Sequence, residues 1–338
     1  MIAGRAAVAG PLRLAAVLSV AVASLSIPAA ARAVGPVFAL QVTGSRAPYF
    51  VLAGRPRHAL DGEVTVINVG GSAGGVSLYP TDATTGQTSG AVYRSPQEPR
   101  RDVGAWIRLA NRHLRLGPGQ ADVIPFRVLV PANVRAGQHL GGIVAQPDQP
   151  LARIAHRRGK ATFHVQVRSI AVIAVELNLP GPRIQHLDIT GMRAGTEPGY
   201  QTLLLGLTSS GTALTKGSGT VTVTDEEGRE RFNHSFTLDT LVPHTHIDYP
   251  LQVTGRALPA GNYHAAIEIS YGNHTLGRTV PFRITAKDLS EVFTSHQTRA
   301  PSSAGGSSMI LFVIAGAALL LVGFAVGARA RTSGSATS

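Results

Sequence analysis

Three side chains with ligand chemistry sit close together in the run His244-Thr245-His246-Ile247-Asp248. On a strand, positions i, i+2 and i+4 share a face, so two imidazoles and a carboxylate could converge on one cation. The same pattern fits an exposed polar strand face. That reading is preferred, because a metal also needs a closed geometry that spacing alone does not supply. No metal or other cofactor is expected. A second group suits carbohydrate: Tyr79, Asp82, Thr84, Tyr93 and Trp106. Aromatic faces stack on sugar rings, while carboxylate and hydroxyl oxygens bond sugar hydroxyls. Trp106 is the sole tryptophan, and a sandwich commonly buries its tryptophan, so it reads first as core. Tyr79 and Tyr93 flank a Gly/Thr/Ser loop, where exposure is expected.

Catalytic patterns are missing. The sequence has no HExxH, GxSxG, phosphate-loop or dinucleotide fingerprint. Asp225-Glu226-Glu227 reads as a hairpin turn rather than a hydrolytic acid pair. The chain has no cysteine, which removes disulfides, thiolate metal sites and cysteine nucleophiles. The expectation is a protein that is not an enzyme.

The elements that would position these residues are strands. Phe126, Val128 and Val130 alternate with Arg127 and Leu129. Tyr263, Ala265, Ile267 and Ile269 alternate with His264, Ala266 and Glu268. Phe163, Val165 and Val167, and then Val280, Phe282 and Ile284, follow the same rule. Period two is the signature of half-buried strands. Turn signals divide them, at Val69-Gly70-Gly71-Ser72, Asp225 to Gly228, and Tyr271-Gly272-Asn273-His274. An internal repeat points to two units. Pro125 to Gly137 and Pro250 to Gly261 each read as a strand, a proline-bearing turn, a glycine and a return strand. The expected fold is all-β, with two tandem immunoglobulin-like sandwiches over 34–180 and 181–287, divided at Pro180-Gly181-Pro182. Residues 170–179 read as a closing strand buried on both faces.

The ends carry targeting signals. Arg5 and Arg13 precede an apolar run, and Ala31-Arg32-Ala33 fits a cleavage site, so 1–33 reads as a signal peptide. Residues 288–308 read as a linker. Met309 to Ala328 lacks charge and would span a bilayer core as one transmembrane helix. Arg329 and Arg331 then place the tail 329–338 in the cytoplasm and the N-terminus outside. Net charge is +12, and five of these cations (Arg5, Arg13, Arg32, Arg329 and Arg331) lie in the terminal segments, leaving +7 on the rest. A basic exported surface suits anionic surroundings such as wall polymers. The basic clusters lack the interleaved aromatics of a single-strand nucleic-acid platform, so nucleic acid is not expected as a partner.

Residues 48–145 resemble the peptidoglycan-binding domain of the WxL-interacting proteins of Gram-positive bacteria. The resemblance rests on ordered pieces: Pro48 to Leu52, Val64 to Asn68, Val76 to Gly86, Trp106-Ile107, Leu114 to Gln120, and Val130-Pro131 with Ala136 to Val144. It implies a first domain that engages peptidoglycan and a second that binds a protein partner. Together these readings describe a non-catalytic, membrane-anchored surface scaffold at the plasma membrane. Its expected partners are peptidoglycan or an anionic wall polymer, and a surface protein. The alternative is an adhesion or secretion-accessory module that binds proteins through immunoglobulin-like strand edges without touching glycan.

Overall fold

The computed structural model describes residues 35–150, 152–158, 161–195, 200–294 and 309–314. The expected signal peptide and the tail 329–338 lie outside the described residues. In chain order the first half forms β1 (Phe38–Val42), β2 (Phe50–Ala53), β3 (Ala59–Asn68), β4 (Gly74–Thr85), β5 (Ala91–Tyr93) and the short helix α1 (Val103–Trp106). It continues with β6 (Ile107–Leu109), β7 (His113–Leu116), β8 (Ala121–Leu129), β9 (Gly137–Pro147), β10 (Ala152–Arg158) and β11 (Ala161–Leu179). The second half forms β12 (Leu187–Ala194), β13 (Thr202–Ser209), β14 (Thr215–Asp225), β15 (Glu230–Leu241), β16 (Thr245–Gln252), β17 (Gly261–Tyr271), β18 (His274–Ile284) and helix α2 (Ala286–Thr294). Strand β19 (Met309–Ile314) comes last.

The protein is all-β, and its strands build two sandwiches. In the first, the sheet β1-β3-β8-β6 faces a sheet ordered β10-β11-β9-β4-β5. Alternation places Ile124, Phe126 and Val128 of β8 inward, where Phe126 meets Phe50 edge to face at a centroid distance of 4.9 Å. In the second, β12-β13-β16 faces β15-β14-β17-β18. Tyr263, Ala265, Ile267 and Ile269 of β17 point into that core beside Val280, Phe282 and Ile284 of β18. Each sandwich has its own buried cluster, one drawn from Phe38 to Leu179 and the other from Leu187 to Ile284. The two sequence copies map onto the step from β8 to β9 and the step from β16 to β17. Both steps cross from one sheet to the other.

Two readings of the sequence are corrected here. Residues 170–179 bury only one face: Ala171, Ile173, Val175, Leu177 and Leu179 are buried, whereas Val172, Ala174, Glu176 and Asn178 are half-buried. The expected transmembrane helix is the second. Among the described residues no helix is long and apolar enough to cross a membrane. Met309–Ile314, the start of that apolar run, is a strand paired parallel to β11; residues 315–328 lie outside the described residues. An apolar run without charge has no period, so it suits a paired strand as well as a helix. The single-pass plasma-membrane placement, with its outside N-terminus and cytoplasmic tail, goes with it.

Side-chain and backbone hydrogen bonds tie the sandwiches together at the tip of the β4–β5 hairpin. The buried Thr85 hydroxyl accepts from the Val242 N–H at 2.8 Å and meets the Thr245 hydroxyl at 2.6 Å. Ser89 Oγ accepts from Asp239 N–H at 2.8 Å. A second tie lies at the start of β9. Gln138 N–H donates to Thr212 O at 2.8 Å, and its side-chain Oε1 accepts from Leu214 N–H at 2.9 Å. Gly137 sits between them at φ 107°, and a Cβ there would lie 2.3 Å from Thr212 O.

Candidate functional site

Between the two ties lies a cleft of about 700 Å³. One wall comes from the first sandwich: the end of β4, the segment running from β5 into α1, and the turn between β8 and β9. The other wall is the turn from Val242 to Thr245 that leads into β16.

Asp82 organises the first wall. It is 5% exposed, and its carboxylate accepts three backbone N–H groups, from Arg101 at 2.5 Å, Asp102 at 3.1 Å and Gly104 at 2.8 Å. These bonds fold the irregular segment after β5 against the sheet and seat α1. Trp106, at the end of α1, is 8% exposed and lies 5.2 Å from the His139 ring, tilted by 57°.

His139 is held between two acceptors. Its Nδ1 is 2.8 Å from Asp102 Oδ1, and its Nε2 is 3.0 Å from the Arg135 carbonyl oxygen. Both nitrogens donate at once only in the imidazolium. Burial pulls its pKa down, but the hydrogen bond and charge of Asp102 and the Arg135 carbonyl outweigh it, so the net direction is up. The His139 ring centroid lies within the distance at which a cation and an indole interact. Across the cleft, His244 has the opposite bias. Burial lowers its pKa first, and the charges of Arg135 and His139 lower it further, against Asp102.

The signs can be checked by pH. A raised histidine contributes stability that is complete below the unfolded value of 6.5 and is lost as pH rises through the folded value. The lowered His244 instead costs stability as pH falls below 6.5. The sole tryptophan reports the first event, because an imidazolium quenches an adjacent indole. Trp106 emission is expected to rise with pH, with a midpoint above 6.5 that falls in Asp102→Asn. A midpoint at or below 6.5 in the unaltered protein would count against the imidazolium assignment.

The residues expected to bind sugar divide between two places. Asp82, Thr84 and Trp106 line the cleft. Tyr79 lies instead on the outer face of the sheet, in register with Val144. Its hydroxyl is 3.4 Å from Gln146 Oε1, and burial raises its pKa. Tyr93 lies over Gly142, where a Cβ would come 2.7 Å from its ring, and burial pushes its phenol up to about 12. The histidine run also divides. His244 precedes β16 at φ 60° and lines the cleft, whereas His246 and Asp248 are on β16, with Asp248 paired to Arg193 at 2.9 Å. Among the described residues no group of three or more side chains is placed to hold a metal. Sequence reasoning missed Arg101, Asp102, Arg135 and His139, because they come from separate segments and only the fold assembles them.

A second feature lies on the far side of the same sheet. Strand β11 is 19 residues long. It pairs antiparallel with β9 over Ala171–Leu179 and with β10 over Ala161–Val167. On its outer edge β2 covers only Val175–Asn178, in parallel. Further back along that edge, Val165–Ile170 pair in parallel with Met309–Ile314.

No family model and no curated protein matches the chain. Solved structures that resemble it include fimbrial chaperones. The class 5 fimbriae chaperone CfaA is 8% identical, with 71% of this chain and 98% of that one covered at a TM-score of 0.34. The pre-assembly complex of chaperone CsuC with the tip subunit CsuE, from archaic chaperone-usher Csu pili of Acinetobacter baumannii, gives 8%, 73%, 98% and 0.35. The E. coli chaperone DraB gives 15%, 73%, 98% and 0.32.

The resemblance to WxL-interacting proteins is corrected: no family model matches the chain, a wall-binding type included. The quoted pieces have a physical explanation. Val64 to Asn68, Val76 to Gly86 and Ala136 to Val144 fall on β3, β4 and β9, so their order largely records the strands of a sandwich. The peptidoglycan scaffold, its wall-polymer and membrane partners and the Gram-positive attribution fall with that resemblance.

Proposed function

We propose that this protein is a non-catalytic protein-interaction module that takes up an extended apolar segment of a partner along the outer edge of β11. The single observation behind this reading is that edge. β2 pairs with four of its residues, and the stretch before them bonds a short apolar strand, Met309–Ile314, in parallel. A strand edge offers a row of backbone donors and acceptors to an incoming strand, as it does to Met309–Ile314, and alternate side chains then set the specificity. The hydrogen-bonded junction between the sandwiches supports the reading as well, because it fixes the second sandwich as a rigid flank. In this account Tyr79, Asp82, Thr84, Tyr93 and Trp106 are framework residues. The division at Pro180-Gly181-Pro182 is the joint between two units, 34–180 and 181–287.

The test uses a proline. Val167→Pro removes a backbone donor from the stretch of β11 that pairs with Met309–Ile314 and restricts its neighbour. The full-length variant is expected to lose capture of a labelled peptide bearing the 309–314 sequence by about tenfold or more. Position 167 also pairs with Ala152 of β10, so Ser169→Pro, past the β10 pairing and before the β9 pairing, is the second variant: it should lose capture alike, with little change in melting temperature. Equal capture by variant and unaltered protein would refute the reading.

A further inference from the structure

The cleft between the sandwiches carries charge that nothing in the structure uses. Its charged and titratable residues come from several elements: Asp82 from β4, Arg94, Arg101 and Asp102 from the segment before α1, Arg135 from the turn before β9, His139 from β9, and His244 from the opposite wall. Most of these have partners. Arg94 pairs with Glu98 at 2.8 Å. Asp82 is committed to three backbone N–H groups, and Asp102 to His139. Arg101 and Arg135 remain, and among the described residues neither has an ion-pair partner. Both are exposed and line the same space. Trp106, Val134, Val242 and Pro243 supply apolar surface between them.

We propose that this cleft binds a small organic anion, a carboxylate or a phosphate, through the guanidinium groups of Arg101 and Arg135, with its apolar body against the wall formed by Val134, Val242 and Pro243. Guanidinium forks match the oxygen pairs of both anions and form charge-assisted bonds. A concave, partly apolar space of this volume suits a small ligand. The two acids of the cleft are engaged by other groups: the Asp82 carboxylate by three backbone N–H groups and Asp102 by His139. His139 adds charge but no hydrogen bond, since both its nitrogens are engaged. The site is built from β4, β9 and the second sandwich, so it stands or falls independently of the β11 edge.

Trp106 is the probe. Inorganic phosphate and acetate are titrated into the full-length protein at constant ionic strength, with chloride as the matched control, while Trp106 emission is followed. A saturable change with phosphate or acetate but not chloride is expected. The stronger of the two tells whether the natural anion carries phosphate or carboxylate. The double variant Arg101→Ala/Arg135→Ala should bind about tenfold or more weakly, in keeping with the loss of charge-assisted bonds. Both side chains are exposed, so its thermal melt should match the unaltered protein. Binding should also weaken as pH rises through the His139 transition, and His139→Gln should flatten that dependence. No saturable response to either anion, a response that chloride reproduces, or unchanged affinity in the double variant would overturn the proposal.

Discussion

Asp82→Ala is expected to destabilise the protein by about 3–5 kcal/mol, read from urea denaturation. The carboxylate holds three N–H groups, of Arg101, Asp102 and Gly104, and the last of these bonds is buried. Alanine leaves all three without a partner, and an unmet buried donor costs about 1–3 kcal/mol. The loss falls short of the sum because the segment can move outward to water. For a chain of this size it corresponds to a fall of about 10 °C in melting temperature. Asp82→Asn separates charge from shape. Its amide oxygen can still accept, but its NH₂ opposes at least one of the three donors, so an intermediate loss is expected. The same variant should expose Trp106, seen as a red-shifted emission, because α1 loses its anchor. A loss below about 1 kcal/mol, the range of ordinary surface substitutions, would show that Asp82 does not organise this wall.

Gly137→Val is expected to part the two sandwiches. The position has φ 107°, a region hostile to a β-branched side chain. A Cβ there would meet the Thr212 carbonyl at 2.3 Å, far inside contact distance. Relief requires either a backbone change at the start of β9 or withdrawal of the Thr212 loop. Either one breaks the Gln138 to Thr212 bond and the Leu214 to Gln138 bond. Each sandwich retains its own core, so calorimetry should resolve two transitions where the unaltered protein gives one. Gly137→Ala should act in the same direction and more weakly. A single transition in the valine variant, at an unchanged temperature, would contradict the junction described here.

The sandwiches were legible in the sequence because burial on one face of a strand writes itself as alternation. Phe126 and Val128 in β8 and Tyr263 to Ile269 in β17 follow that rule, and the structure buries them. The apolar run from Met309 was misread for the converse reason. Length and lack of charge describe a membrane helix, but nothing in them excludes a strand with a partner. The cleft was not legible. Asp82 meets backbone groups about twenty residues away, which leave no trace in side-chain pattern. Asp102 and His139 are 37 residues apart. His244 was read as one third of a strand-face triad, but a left-handed backbone turns it out of β16 and into the cleft. Of the residues expected to bind sugar, Asp82, Thr84 and Trp106 share the cleft, whereas Tyr79 and Tyr93 lie outside it.

The central claim is that β11 accepts an extended strand in parallel along its outer edge. Disulfide trapping tests it directly, since a chain with no cysteine gives no background. Val167 and Leu311 are register partners, and Val167 and Val313 are not. Val167→Cys/Leu311→Cys is expected to crosslink rapidly within one chain under mild oxidation. The out-of-register pair Val167→Cys/Val313→Cys should lag far behind, and excess free peptide of the 309–314 sequence should slow the first pair by competing for the edge. Equal crosslinking of both pairs, or none in either, would contradict the account.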